Sequence, residues 1–267
     1  MKAFFVSDIH LTQSDDERAQ KFLGFLRFLM TETEVNRIDK PTHLFLVGDI
    51  FDLWVGSHNY FRQKFEPIID HIRKLVRKGV EVHFFEGNHD LYLSEFWQGE
   101  VGVTVHENAE IFVLGGLKVR VEHGDLINPD DRGYLFLRAL LHSQVVSSLA
   151  KNLPSRIVAA IGERASRASR SYTSSISSKG SKALPEEKIR SLIHAHAERV
   201  AAEVPFDLLI SGHVHVRDDL ILELSDARRI RTVNLGSWFD EPQAFVLRDG
   251  GHGQFEKITS EPEKNSI

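Results

Sequence analysis

Five short stretches of this 267-residue chain carry side chains that bind cations and move protons. They are Asp8 and His10 in DIH, Asp49 in GDIFD, Asn88, His89 and Asp90 in GNHD, His123 and Asp125 in HGD, and His213 and His215 in GHVH. The chain has no cysteine, which excludes disulfides and thiolate metal sites. A metal here has to be held by His, Asp, Glu, Asn or water, and such donors suit manganese, iron or zinc. In DIH and HVH the i, i+2 spacing puts both side chains on one side of an extended backbone. The glycines before Asp49, Asn88 and His213 fit tight loops in which backbone approaches closely. Two ions ~3.5–4 Å apart, sharing a bridging carboxylate, hold a phosphoryl group and activate a water between them. His89 is not needed as a ligand. It can protonate a leaving oxygen or stabilise developing charge, with Asp90 orienting its imidazole.

Each motif is weak alone. An Asp-x-His at a strand end is more often a turn, and Gly-Asp is ordinary loop chemistry. The signal is their order, because every one follows a strand-like run. AFFVS, THLFLV and VEVHFF read as buried strands that end in the polar groups. Residues 17–32 place Phe22, Phe25, Leu26 and Leu29 at helical spacing, and 60–78 read as a helix that stops at Gly79. Strands alternating with helices predict a parallel sheet with helices against it, and sites collect outside the carboxyl ends of such strands. From 103 to 123, short strands broken by Glu-Asn and Gly-Gly read as a hairpin and a second sheet. Residues 206–248 return to short strands, and 251–267 read as a frayed polar end. The expected class is α/β, with two sheets face to face and helices outside. His43, His71, His83, His106, His142, His194, His196 and His252 read as ordinary histidines, whereas His58 is a candidate lining residue.

Residues 131–182 stand apart. From Arg132 to Lys182, nine Lys and Arg accompany one acid, Glu163, in a chain of net charge −5. Apolar residues at Leu135, Phe136, Leu140, Leu141, Val145, Val146, Ile157, Val158 and Ile161 precede a Ser-rich run. This reads as a helical insertion with a mobile tail. Grease beside positive charge suits an amphiphile with phosphates and acyl chains, or an anionic bilayer face. Equally, these can be amphipathic helices that cover the sheet, with solvated basic residues. A nucleic-acid partner is disfavoured, since only Tyr172 in 164–182 can stack a base. Lys2 runs into a strand rather than a signal-peptide core, and no stretch nears the ~20 apolar residues that span a bilayer. A cytoplasmic protein, soluble or attached peripherally to the inner membrane, is expected.

The ordered set D-x-H, G-D-x-x-D, G-N-H-D, H-G-D, G-H-x-H resembles the calcineurin-like metallophosphoesterase superfamily. That resemblance implies a four-layer α-β-β-α sandwich, here one domain over 1–267 with 131–182 as a helical cap. It implies two divalent ions, Mn2+ first and Zn2+ or Fe2+ as alternatives. Asp8, His10, Asp49 and His215 would bind one, and Asp49, Asn88, His123 and His213 the other. Within the superfamily the chain is similar to the pyrophosphatases of lipid A synthesis, through GDIFDLWVG at 48–56, HGDLINPDDRGY at 123–134 and LGSW at 235–238. The implied substrate is an amphiphilic nucleotide-sugar lipid, UDP-2,3-diacylglucosamine, cleaved to UMP and the diacyl sugar 1-phosphate. Asn88, His89, Asp131, Ser169, Thr173 and His213 fall near substrate-contacting positions by the same resemblance. Two departures stand out. His89 occupies a position where that branch usually has Arg, and GHVHVRDD replaces a G-H-T-H-R-P run. The other functions open to this sequence are another phosphoesterase of the same chemistry and a non-catalytic lipid- or protein-binding scaffold. The retention of every expected ligand argues against the scaffold.

Overall fold

The computed structural model describes residues 1–35, 39–162, 164, 184–238 and 242–258. Ser169, Thr173 and the Ser-rich run lie outside these residues.

Runs such as AFFV and HLFLV are apolar on both faces, so both faces have to be covered. β1 (Lys2–Val6), β2 (His43–Val47), β4 (Glu81–Phe85) and β6 (Thr104–His106) pair in parallel. On one face of this sheet Phe4, Val6, Leu44, Leu46, Val82 and Phe84 pack against α1 (Glu17–Val35) and α3 (Glu66–Arg77). The alternate residues Ala3, Phe5, Phe45, Val47 and Phe85 face a second sheet. That sheet has the order β10 (Asp218–Glu223), β11 (Arg229–Asn234), β9 (Leu208–Ser211), β8 (Leu117–Val121), β7 (Glu110–Leu114). Its outer face is covered by α7 (Glu186–Glu203) through Ala197, Val200, Ala201 and Ile230. The result is the expected four-layer α/β arrangement.

The Gly115-Gly116 turn, with both φ positive, closes the β7–β8 hairpin as its sequence predicts. The Glu-Asn break separates β6, which joins the first sheet, from β7 in the second. Two expectations need correction. The helix read over 60–78 is two helices, α2 (Asn59–Lys64) and α3, broken at Phe65 just before Pro67. The frayed end read from 251 contains β13 (Gly253–Lys257), antiparallel to β12 (Gln243–Arg248), which itself returns to pair with β1. Phe255 packs edge-on against Phe245, and this partner is invisible in a polar local pattern.

Two further features position the site. β3 (Trp54–Val55) pairs with β5 (Asp90–Leu91), tying the GDIFD loop to the GNHD loop. Beyond β8, α4 (Arg132–Leu141), α5 (Gln144–Asn152) and α6 (155–162) stand over the ends of the first-sheet strands.

Candidate metal centre and adjoining cavity

β1, β2 and β4 end side by side, and so do β8 and β9, which pair in parallel. The polar tips therefore meet at one edge of the sandwich. Backbone bonds stitch them together: Asp8 N–H donates to Gly48 O at 3.2 Å, and Gly212 N–H to His123 O at 2.8 Å. Asp8 Oδ2 accepts from His213 N–H at 2.9 Å, across the two sheets. Asp8, His10, Asp49, His213 and His215 all hold φ between 51° and 70°. That region costs a non-glycine residue roughly 1–3 kcal/mol and persists only where the surroundings enforce it. The glycines have the role their positions imply. A Cβ on Gly48 would lie 2.2 Å from His123 Nδ1, and one on Gly87 2.2 Å from Asp49 Oδ1.

Among the described residues, two of the resulting donor groups match the expected ligand sets. Asp8, His10 and His215 form one; Asp49, His123 and His213 form the other, with the ligand atoms of each group within 4.8 Å of one another. His10 Nε2 lies 3.3 Å from His215 Nε2, and His215 Nε2 lies 3.3 Å from Asp8 Oδ1. His123 Nδ1 donates to Val47 O at 3.0 Å, which turns Nε2 toward the site. There Nε2 meets His213 Nδ1 at 3.2 Å, Asn88 Oδ1 at 3.3 Å and Asp49 Oδ2 at 3.6 Å. Asp49 Oδ2 is also 3.9 Å from His10 Nε2, so this carboxylate stands between the groups. Asp8 Oδ1 is buried without hydrogen-bond geometry. Lone pairs converging in this number, with a buried carboxylate oxygen left over, fit divalent cations.

The electrostatics have the same origin. Burial opposes charge on Asp8, but the His215 contact and the charges of His123 and His10 hold it well below the usual carboxylate range. Asp49 is likewise lowered against burial, by His123, His89 and His10. Burial pushes His10 down to about 3 and His213 to about 4. Burial also acts on His123 and His215, but carboxylates win there. Asp49 and Asp8 raise His123, and Asp8 raises His215.

His89 joins this cluster edge-on to His10, with ring centroids 5.0 Å apart. Its Nδ1 donates to Asp52 O at 2.8 Å, and its donor atoms gather with those of His10 and Asp52. Asp90 does not orient this imidazole, contrary to the sequence expectation. Its Oδ2 accepts from Ile50 N–H at 2.7 Å and its Oδ1 from Phe51 N–H at 3.1 Å. The carboxylate thus shapes the loop that carries Asp49. Both oxygens are taken by these loop amides, which is why Asp90 does not serve the imidazole.

A cavity of about 670 Å³ opens on Asn88 and His89. Its walls are mainly apolar: Leu53, Val55 and Leu91 below, Leu137, Leu141, Val146, Leu149, Val158 and Ile161 above. Asp131 also lines it and caps α4, accepting from Tyr134 N–H at 2.9 Å. Sequence reasoning missed Tyr134 and Arg138. One turn apart on α4, they reach Asp125 Oδ2 at 2.9 Å and 2.5 Å. An i, i+4 pair facing an acid was the available signal. His58 lies outside the cavity lining, and His142, read as ordinary, lies within it.

A two-sheet α/β sandwich that gathers His, Asp and Asn from both sheets at one edge is the architecture of a phosphoesterase. The chain belongs to the calcineurin-like phosphoesterase family, whose model matches residues 1–217. It is 31% identical over 244 residues to UDP-2,3-diacylglucosamine hydrolase from Salmonella paratyphi B, covering 90% of this chain and 92% of that one. The enzyme of the same name from Salmonella paratyphi C matches at 30% identity with the same coverage. Among solved structures, Vps29 with zinc from Entamoeba histolytica is 14% identical with a TM-score of 0.40, over 98% of this chain and 100% of that one. Among the described residues no helix is long and apolar enough to cross a membrane.

Proposed function

We propose that this protein is a metal-dependent pyrophosphatase that hydrolyses UDP-2,3-diacylglucosamine, releasing UMP and 2,3-diacylglucosamine 1-phosphate in lipid A synthesis. The observation that carries this reading is the apolar cavity opening on Asn88 and His89, beside the donor cluster. A phosphoesterase for a small polar diester has no use for an apolar chamber of this size at its reacting edge, whereas a diacyl sugar has.

Asp8, His10 and His215 would hold one divalent ion and Asn88, His123 and His213 the other, with Asp49 between them. Mn2+ is the first choice and Zn2+ or Fe2+ are alternatives. Bound there, such ions supply Lewis acidity and lower the pKa of a water. The chain's residues do the rest. His89 Nδ1–H is committed to Asp52 O, so Nε2 is the atom that holds a proton for the departing phosphate oxygen. Asn88 and Asp131, in the cavity lining, orient the phosphates and sugar. The α4–α6 helices, as a cap within one domain, exclude water from the acyl chains. Tyr134 and Arg138 hold the cap to the catalytic loop through Asp125.

The outward face of the cap favours a peripheral position on the cytoplasmic side of an anionic membrane. Phe136, Val145 and Ile157 are 72%, 70% and 46% exposed, and the exposed Arg132 and Arg156 accompany them.

The test is direct. Manganese-loaded protein incubated with UDP-2,3-diacylglucosamine should release UMP, and absence of product at micromolar enzyme rejects the substrate. Turnover of small generic diesters with indifference to acyl length would instead favour another phosphoesterase of the same chemistry.

A further inference from the structure

α5 ends at Asn152, and α6 begins at 155 after Leu153 and Pro154. The carbonyl of Ala150 would normally accept from the N–H of residue 154, but proline has none. His58 supplies the missing donor: Nε2 lies 2.7 Å from Ala150 O. A carbonyl only accepts, so Nε2 carries a proton, and Nδ1 pairs with Ser155 Oγ at 3.2 Å, a hydroxyl that can serve either ring tautomer of its partner nitrogen. One buried imidazole therefore joins the last turn of α5 to the first turn of α6.

The two helices bonded to His58 are facing walls of the cavity, α5 through Val146 and Leu149 and α6 through Val158 and Ile161. α6 also comes close to the body at its far end. A Cβ on Gly162 would lie 2.6 Å from Leu53 Cδ2, which is itself a wall of the chamber. The α5–α6 corner therefore sets where two walls of the chamber stand. His58 precedes α2 and belongs to the body of the fold, so the corner is referenced to the fixed sheet edge rather than to the cap alone.

We propose that His58 is a positioning residue for the cavity: by bridging the α5–α6 corner it sets the acyl-chain length that the chamber accepts. This rests on reading the chamber as an acyl site.

The experiment uses the full chain and displaces bound parinaric acid with saturated fatty acids from decanoate to stearate. Wild-type protein should show a length optimum. His58→Ala should flatten that optimum and weaken the best chain at least about tenfold, the scale of a buried acceptor left unmade. His58→Gln, whose amide offers a donor and an acceptor, should restore most of the profile. Ser155→Ala, which removes only the second bond, should shift the profile part of the way in a protein that still folds. A His58→Ala profile identical to wild type, or a Gln variant no better than Ala, overturns the assignment. UMP release by the wild-type enzyme is measured beside it. A length optimum without UMP release removes the named substrate and keeps the role of His58. UMP release with a profile indifferent to His58 does the reverse.

Discussion

His123 Nε2 faces His213 Nδ1 at 3.2 Å, and Asn88 Oδ1 approaches the same nitrogen at 3.3 Å. Asp49 Oδ2 stands 3.6 Å away. A single proton between the two imidazoles leaves the oxygens facing lone pairs, whereas a divalent cation satisfies all four. Asp49→Ala should therefore lose bound metal and bring turnover below detection, because this carboxylate stands between both donor groups. Asp8→Ala should lose the ion of its own group first. Metal analysis of loaded, desalted protein reads both outcomes. Full occupancy in Asp49→Ala would contradict the bridging position.

The pH dependence of binding follows from the same cluster. His123 and His215 titrate above their ordinary 6.5 in the metal-free protein, and His10 and His213 near 3 and 4. At neutral pH the second pair is already neutral, so only His123 and His215 exchange a proton for metal. Affinity should fall as pH drops below their values, about tenfold per unit for each proton displaced. The sign for stability is opposite without metal. A histidine whose pKa rises on folding stabilises below its unfolded value, and that contribution is lost as pH rises through the folded one. Calorimetry at mildly acidic pH in buffers of different ionisation enthalpy counts the released protons; finding none would remove this account.

Gly87→Ala is a one-methyl test of the loop. The new Cβ would meet Asp49 Oδ1 at 2.2 Å and Asp49 N at 2.5 Å. The variant should keep its far-ultraviolet circular dichroism and lose metal and turnover together. Gly48→Ala adds a φ of 78° to a 2.2 Å approach to His123 Nδ1 and should be worse in both respects. A fully active Gly87→Ala protein would mean that the loop relaxes more freely than its packing indicates.

His89 and Asp90 are neighbours with different work. His89→Ala should lower turnover by about a hundredfold or more, the scale of a lost general acid, at near-normal metal content. Asp90→Ala leaves the buried amides of Ile50 and Phe51 without acceptors, at a cost of about 1–3 kcal/mol each. Its unfolding midpoint should drop further than that of His89→Ala, which takes away one hydrogen bond, to the Asp52 carbonyl, rather than two. Burial and the Asp49 charge push the Asp90 carboxyl well above its ordinary range. That group therefore contributes stability at low pH, which is lost as pH rises. Urea melts of the two variants separate the roles, and equal midpoints would reject the division.

This contrast marks where the sequence was legible and where it was not. Phe22, Phe25, Leu26 and Leu29 are buried as their helical spacing implies, and the donors fall at strand ends because apolar runs stop there. Parallel pairing then brings those ends together without needing any local signal. The direction of an individual side chain is different. Whether Asp52 or Asp90 meets His89 depends on the β3–β5 pairing across two loops, which no local pattern encodes. β13 differs again: the Asp249-Gly250-Gly251 turn is a local hairpin signal, but the strand after it has one large apolar residue, Phe255, and so reads as a polar end. His58 carries no signal of its own; its meaning comes from the proline at 154, nearly a hundred residues later.

The last prediction concerns the outward face of α4–α6. Phe136, Val145 and Ile157 are exposed and do not line the cavity. Burying a side chain of this kind contributes about 1.5–3 kcal/mol, and each basic residue near an anionic surface about 1 kcal/mol. Phe136→Ser combined with Val145→Ser should therefore weaken co-sedimentation with phosphatidylglycerol vesicles at least about tenfold. Binding should also weaken with salt, because Arg132 and Arg156 would act through a screened field. Neither substitution touches the chamber, so turnover of detergent-dispersed substrate should hold while turnover of vesicle-borne substrate falls. If vesicle binding is indifferent to both residues, the exposed apolar face has another occupant and the membrane is not the partner.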